Sequence, residues 1–87
     1  MTRSEIQNRL KDIIKPYVQK EEVLEQMTAE SDLLEDLEIN SAHLVDIILD
    51  MEEAFAIEIS DRDAEKMLTV GIAVDITERL LQNSDQQ

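Results

Sequence analysis

Cysteine is absent from the sequence, and histidine and aromatic residues are scarce. Without cysteine the chain can form neither a disulfide nor a cysteine-ligated zinc site, and one histidine argues against a structural zinc centre of any kind. Tyr17 and Phe55 are the only aromatic residues, so the core must be almost wholly aliphatic. One glycine and one proline among 87 residues, with abundant Leu, Ile, Glu and Ala, favour helices over strands. The length is that of one domain.

Long apolar runs are also missing, and basic residues are absent from a large part of the chain. No apolar run is long enough to cross a bilayer, and the first five residues contain no apolar signal-peptide core. We therefore expect a soluble, cytoplasmic protein without membrane insertion. The formal net charge is −13, and the stretch from Glu21 to Asp61 holds fourteen acids and no Lys or Arg. Such a surface repels nucleic acid and favours basic protein partners.

The first helix is predicted from a regular spacing of apolar residues. We expect Ser4 to be its N-cap and Pro16 to kink or end it near Lys15. The apolar positions are Ile6, Leu10, Ile13, Ile14, Tyr17 and Val18. A long connection follows, roughly from Thr28 to Asn40, and connections of this length are usually functional or disordered. Its apolar residues predict a loop that is pinned to the core, and these are Leu33, Leu34, Leu37 and Ile39.

The second helix has the clearest pattern. Asn40 or Ser41 caps it, and one face is apolar at Leu44, Ile47, Ile48, Met51 and Phe55. A brief helix capped by Ser60 or Asp61 and a last helix capped by Thr69 complete an all-α chain. We predict a single domain over residues 1–82 and a flexible tail over residues 83–87.

Ser41 begins the helix whose outer face is the most acidic. A serine at this position is usually a cap, but Asn40 is an equally good cap, which would let Ser41 point outwards. A helix N-terminus also suits a phosphate diester, because its N–H groups and the positive end of its dipole face the anion. The position alone is compatible with both interpretations.

Acidic residues on the second helix indicate a binding face. Asp46, Asp50 and Glu53 are spaced i, i+4 and i+7, on the side opposite the apolar face. Like charges four residues apart destabilise a helix by roughly 0.2–0.5 kcal/mol a pair. A helix face that is merely solvated would normally mix the two signs, so the pattern favours a surface for a basic partner.

Three segments of the chain resemble a known family. Residues 36–41 read Asp-Leu-Glu-Ile-Asn-Ser, residues 44–55 read Leu-Val-Asp-Ile-Ile-Leu-Asp-Met-Glu-Glu-Ala-Phe, and residues 57–67 read Ile-Glu-Ile-Ser-Asp-Arg-Asp-Ala-Glu-Lys-Met. Together with Thr69-Val70, these segments resemble the acyl carrier proteins. The helical patterns on either side fit as well, so the resemblance covers most of the chain and is strongest in the middle.

The resemblance implies a four-helix bundle with a short third helix and a long loop between the first and second helices. It implies a carrier, not an enzyme, with a 4′-phosphopantetheine arm on Ser41. The arm would supply the thiol that the chain lacks and hold acyl intermediates as thioesters for fatty-acid, lipid or polyketide-type synthesis. The implied partners are a phosphopantetheinyl transferase and acyl-loading and acyl-transferring enzymes with basic docking patches, acting on a monomer.

The resemblance also assigns roles to residues around Ser41. The expected partner-binding residues are Asp36, Glu38, Asn40, Ala42, Asp46, Asp50, Glu52 and Glu53. The expected residues of the acyl cavity or its mouth are Val45, Ile47, Leu49 and Met67. Ordinary core packing is the alternative for each member of the second group.

Three positions depart from the family's pattern. Its Asp-Ser-Leu motif has Asn40 in place of the acid and Ala42 in place of the leucine, and Glu38 stands where glycine is common. These departures indicate a specialised carrier with dedicated partners. An aminoacyl or peptidyl carrier and an unmodified acidic helical adaptor are the alternatives.

Nothing in the sequence indicates an enzyme or a metal site. It contains no nucleophile–base pair, metal-ligand cluster or glycine-rich loop. His43 lies two positions after Ser41, and residues so spaced do not face each other on a helix. We interpret His43 as a surface residue or a partner contact.

Overall fold

The computed structural model describes residues 1–85, which fold into five α-helices without a strand. The helices are α1 (Arg3–Ile14), α2 (Glu21–Glu25), α3 (Ser41–Phe55), α4 (Asp61–Lys66) and α5 (Val70–Asp85). This confirms the all-α class. The four expected helices correspond to α1, α3, α4 and α5, with α4 the short one. The remaining helix, α2, is a brief segment between α1 and the expected loop, which begins near Thr28.

The start of α1 differs from the prediction, whereas its end agrees with it. Thr2, not Ser4, is the N-cap, because its hydroxyl accepts a hydrogen bond from the backbone N–H of Glu5 while the Glu5 carboxylate accepts one from the N–H of Thr2. This reciprocal pair is a capping box and fixes the helix start. At the other end, Pro16 lies in a 3₁₀ turn (Lys15–Tyr17) that follows directly after α1.

The connection between α2 and α3 is held against the start of α5, as expected of a loop pinned to the core. The N–H of Leu33 donates to the carbonyl of Leu68 at 2.9 Å, and the N–H of Val70 donates to the carbonyl of Ser31 at 3.0 Å. These bonds form an isolated antiparallel bridge. The apolar side chains of the connection are buried at Leu33, Leu37 and Ile39 and half-buried at Leu34.

The core is an aliphatic cluster with one aromatic member, Phe55. Each long helix contributes one stripe, and α1 packs against both α3 and α5. The buried residues of these three helices are Ile6, Leu10 and Ile14; Ile47, Met51 and Phe55; and Val70, Ala73, Val74, Ile76 and Thr77. The predicted apolar face of α3 is therefore confirmed, with Leu44 and Ile48 half-buried at its edge.

Side-chain caps determine where the last two helices begin. The Ser60 hydroxyl accepts from the N–H of Asp63 at 3.1 Å, so Ser60 caps α4. The Thr69 hydroxyl accepts from the N–H of Ile72 at 3.2 Å at the start of α5. Helix α5 continues to Asp85, so the domain boundary predicted at residue 82 falls inside this helix. Residues 86 and 87 of the predicted tail lie outside the described residues.

Candidate functional site

Ser41 is the first residue of α3 and is exposed. The helix is capped by its neighbour: the Oδ1 atom of Asn40 accepts from the N–H of Ala42 at 2.9 Å, and the Asn40 carbonyl accepts from the N–H of His43 at 2.8 Å. Of the two caps that the sequence offered, Asn40 is therefore the one used. The helix start does not require the Ser41 hydroxyl, which is available for chemistry.

An open groove of about 370 Å³ lies beside Ser41, between α3 and α4. Its apolar lining comes mainly from α3, and Asp61 and Glu65 of α4 stand at its opposite edge. The apolar lining residues are Leu44, Val45, Ile48 and Ala64. A flexible chain attached to Ser41 would therefore find an apolar surface next to its attachment point.

The surroundings of Ser41 fit a phosphate ester. The first N–H groups of a helix have no partner within the helix, and the dipole places partial positive charge at this end. The first turn of α3 contains no acid that would repel a phosphate. Ser41 thus combines an exposed position with helix N–H groups and a dipole end that favour an anion, while Asp61 and Glu65 lie across the groove.

The outer face of α3 combines apolar and acidic side chains. Val45 and Leu49 are 61% and 56% exposed and four residues apart, so they are neighbours on the helix surface. Asp46 and Glu53 are exposed on the same helix. This face therefore offers a partner both hydrophobic contact and negative charge.

Asp50 does not lie on this outer face, contrary to the prediction from spacing. It is half-buried, and its Oδ2 atom accepts a hydrogen bond from the Tyr17 hydroxyl at 2.9 Å. This hydrogen bond, together with desolvation and the negative charges of Asp50 and Asp46, raises the pKa of Tyr17. The Tyr17 ring in turn packs against His43, with centroids 5.4 Å apart and planes tilted by 52°.

Two other acids that were expected to bind partners accept hydrogen bonds from the backbone of this chain. The Oε2 atom of Glu52 accepts from the backbone N–H of Ile59 at 2.7 Å, which holds the segment after α3 against that helix. The Oδ2 atom of Asp36 accepts from the N–H of Asp32 at 2.7 Å in the preceding turn. Both carboxylates therefore have a structural role, although Asp36 remains exposed.

Glu38 shows why glycine is common at its position in the family. It is exposed and has a φ of 54°, in the left-handed region. Glycine adopts this conformation without the steric cost that a Cβ atom brings. The departure from the pattern therefore places a strained residue three positions before Ser41.

The four residues expected at the acyl cavity fall in different environments. Ile47 and Met67 are fully buried in the core, and Val45 lies at the mouth of the groove beside Ser41. Leu49 is largely exposed, because it lies on the side of α3 away from the core. Leu49 does not line the groove beside Ser41, and its place at the acyl cavity or its mouth stays a prediction.

The sequence interpretation missed the contact of Tyr17 with α3 and the contribution of α4 to the groove. His43 and Asp50 are seven residues apart, which places them on one flank of the helix. Pro16 indicated that the chain turns just before Tyr17. Neither pattern shows which flank of α3 the turn approaches, because that depends on how the helices pack.

The described residues show no membrane-crossing helix and no obvious metal site. No helix in residues 1–85 combines the length and the apolar character that crossing a bilayer demands. The same residues contain no group of three or more potential metal ligands.

Known proteins resemble this chain along most of its length. No protein-family model matches it. An acyl carrier protein of Coprothermobacter proteolyticus is 44% identical over 78 residues, which cover 90% of this chain and 93% of that protein. One from Thermotoga maritima is 38% identical over 80 residues, covering 92% and 96%. This chain belongs to the acyl carrier protein family.

The solved structure of an acyl carrier protein from Enterococcus faecalis supports the same assignment. It superposes with a TM-score of 0.75 at 36% identity and covers 92% of this chain and 99% of its own. Acyl carrier proteins are carriers and not enzymes, and the family acts in fatty acid synthesis. Its members bear 4′-phosphopantetheine on a conserved serine. The family also implies a phosphopantetheinyl transferase and enzymes of fatty acid synthesis as partners.

Proposed function

We propose that Ser41 is the residue of this acyl carrier protein that bears the 4′-phosphopantetheine arm. The proposal depends on one observation at the start of α3: the capping residue and the exposed serine are different residues. Asn40 caps the helix, and Ser41 presents an exposed hydroxyl beside an apolar groove. The serine is thus available for modification without loss of the helix start.

The chemistry of the chain supports this assignment. A thioester needs a thiol, and the chain contains no cysteine. The arm supplies a thiol when it is attached, and Ser41 would hold its phosphate at the N-terminus of a 15-residue helix. The contribution of the protein is to anchor the phosphate, to offer apolar surface to the cargo and to present both to other enzymes.

The acyl chain is proposed to enter the groove between α3 and α4. Leu44, Val45 and Ile48 line its α3 side, and the fully buried Ile47 and Met67 belong to the core behind it. An acyl chain that reached the core would have to displace these side chains. The apolar lining favours a fatty or ketide cargo over an aminoacyl or peptidyl one.

Partner enzymes are proposed to dock on the first turn and the outer face of α3. Asp46 and Glu53 would attract basic patches, and Ala42, Val45 and Leu49 would provide apolar contact. Because the motif has Asn40 and Ala42 where the family has an acid and a leucine, we assign the chain to a specialised pathway with dedicated partners. We also propose that the protein is cytoplasmic and acts as a monomer.

Intact mass measurement tests the attachment site. Incubation with coenzyme A and a broad-specificity phosphopantetheinyl transferase should add one arm to the wild type and none to Ser41→Ala. Ser41→Ala should remain folded, because the Asn40 cap is unaffected. The matched control is Ser4→Ala, which alters an exposed serine of α1 and should still take one arm. An arm on Ser41→Ala, or none on the wild type, would contradict the proposal and favour an unmodified acidic adaptor.

A further inference from the structure

A cluster of Tyr17, His43 and Asp50 joins the turn after α1 to α3, on the flank away from the groove. His43 and Asp50 are separated by seven residues, about two turns, and so lie one above the other on the helix. Ser41 and Ile48 have the same spacing, and both line the groove on the other flank. The cluster therefore flanks the first turn of α3 opposite the groove.

The contacts within the cluster form a chain from Asp50 to His43. The Tyr17 hydroxyl donates to Asp50 at 2.9 Å, which fixes the far end of the tyrosine side chain. The Tyr17 ring then lies beside the His43 ring, with a centroid separation of 5.4 Å and the planes tilted by 52°. Tilted ring pairs at such distances attract each other. His43 itself is exposed, so its imidazole remains accessible to a partner while it contacts the Tyr17 ring.

The position of His43 makes it accessible to enzymes that act on Ser41. An enzyme that approaches the Ser41 hydroxyl from the N-terminal end of α3 also comes close to the opposite flank of the first turn, because one turn rises only about 5.4 Å. That turn contains no acid. Its other side chains are small or apolar, or belong to the cap, so His43 is its principal hydrogen-bonding group besides Ser41.

We propose that Tyr17 and Asp50 position His43 as a specificity-determining contact for enzymes that act on Ser41. The proposal rests on attachment at Ser41. An imidazole both donates and accepts hydrogen bonds, so the enzyme meets it with a hydrogen-bonding side chain, while its Lys and Arg residues face Asp46 and Glu53. Asp50 is a positioning residue and not a docking acid.

Steady-state transfer of the arm from coenzyme A tests the contact. The enzyme is the holo-carrier synthase encoded by the same genome, with a broad-specificity transferase in parallel. For the synthase, His43→Ala should raise the KM for the carrier about threefold to tenfold, the range expected when one hydrogen bond is lost. The kcat should be nearly unchanged, and His43→Gln should restore part of the loss. Gln19→Ala, another exposed polar residue, is the matched control.

Double variants and a spectroscopic measurement test the positioning role. Tyr17→Phe and Asp50→Asn should each raise the KM, and neither should raise it further when combined with His43→Ala. Each should also shift the NMR resonances of the His43 ring protons, because these protons sense the adjacent Tyr17 ring. If the variants merely lowered the stability of the fold, their effects on the KM would add to that of His43→Ala. The His43 resonances would then show no specific local shift.

The possible failures can be distinguished. If the wild type accepts the arm and His43→Ala leaves the KM of the synthase unchanged, the contact is refuted while Ser41 stands. If the KM effects of Asp50→Asn and His43→Ala are additive, or the His43 resonances do not move, the positioning role is refuted. If neither enzyme modifies the wild type, the proposed function fails and the inference fails with it.

Discussion

At the scale of single residues, the residues just before Ser41 determine how α3 begins and what conformation leads into it. Asn40 caps α3, and this leaves the hydroxyl of Ser41 for modification. Glu38 adopts a left-handed conformation before the site. At this site the chain thus has residues that differ from the family's motif in charge and in conformational cost.

The strain at Glu38 gives a prediction about stability. Glu38→Gly removes the steric cost of the left-handed conformation but adds conformational freedom to the unfolded chain. We expect a net gain of about 0.5–1 kcal/mol in the free energy of unfolding, measured by chemical denaturation. The matched control is Glu58→Gly, an exposed glutamate without positive φ. Glu58→Gly should lower the free energy of unfolding. If both variants change it equally, Glu38 is not strained in the folded protein.

The sequence predicted these residues unequally well, for a physical reason. Asn40 and Ser41 were identified because capping is a local preference of adjacent residues. Asp50 was misplaced because helical spacing gives an angle around α3, whereas the contact with Tyr17 depends on another element. The exposure of Leu49 was missed for a similar reason, since the resemblance implies a cavity but not the rotation of each side chain.

At the scale of elements, the long helices were predictable because each has a regular apolar stripe. Helix α2 was not predicted as a helix, because five residues give too short a pattern to distinguish from an irregular turn. The start of α1 was placed at Ser4, although Thr2 is also a residue type that caps helices. The glutamate three residues after Thr2 completes a capping box and decides between them.

The junction between the long connection and α5 gives a prediction at this scale. The N–H of Gly71 donates to the carbonyl of Ala29 at 2.7 Å, and a Cβ atom on Gly71 would lie 2.9 Å from that oxygen. Gly71→Ala should therefore lower the free energy of unfolding by about 1–3 kcal/mol, although alanine is the better helix former. Chemical denaturation measures this.

The control for this prediction is a helix position without such a contact. Gln82→Ala lies in the same helix and is exposed, so it should leave stability unchanged or slightly raised. If Gly71→Ala is as stable as Gln82→Ala, the connection is not held tightly against α5.

At the scale of the whole molecule, charge is distributed very unevenly. All fourteen acids between Glu21 and Asp61 lie in a stretch without Lys or Arg. The ion pairs found within residues 1–85 join Arg3 to Asp75 and Glu78, and Arg79 to Asp63. None involves an acid of the stretch. Its negative charges are therefore offset mainly by solvent and dissolved ions, which suits docking to basic enzymes but opposes compactness.

This uncompensated charge predicts that salt stabilises the fold. Raising NaCl from roughly 0.02 M to 0.5 M shortens the screening length from about 20 Å to about 4 Å. Like-charged neighbours on a helix cost about 0.2–0.5 kcal/mol a pair, and 1 kcal/mol corresponds to roughly 4–8 °C in a domain of this size. We expect the thermal midpoint at neutral pH to rise by about 4–8 °C.

A variant with Glu30, Glu35 and Glu58 changed to Gln removes three exposed charges of the stretch. Its thermal midpoint should be higher at low salt and should rise less when salt is added. Equal salt responses in the variant and the wild type would mean that salt acts on hydrophobic burial and not on repulsion between these carboxylates.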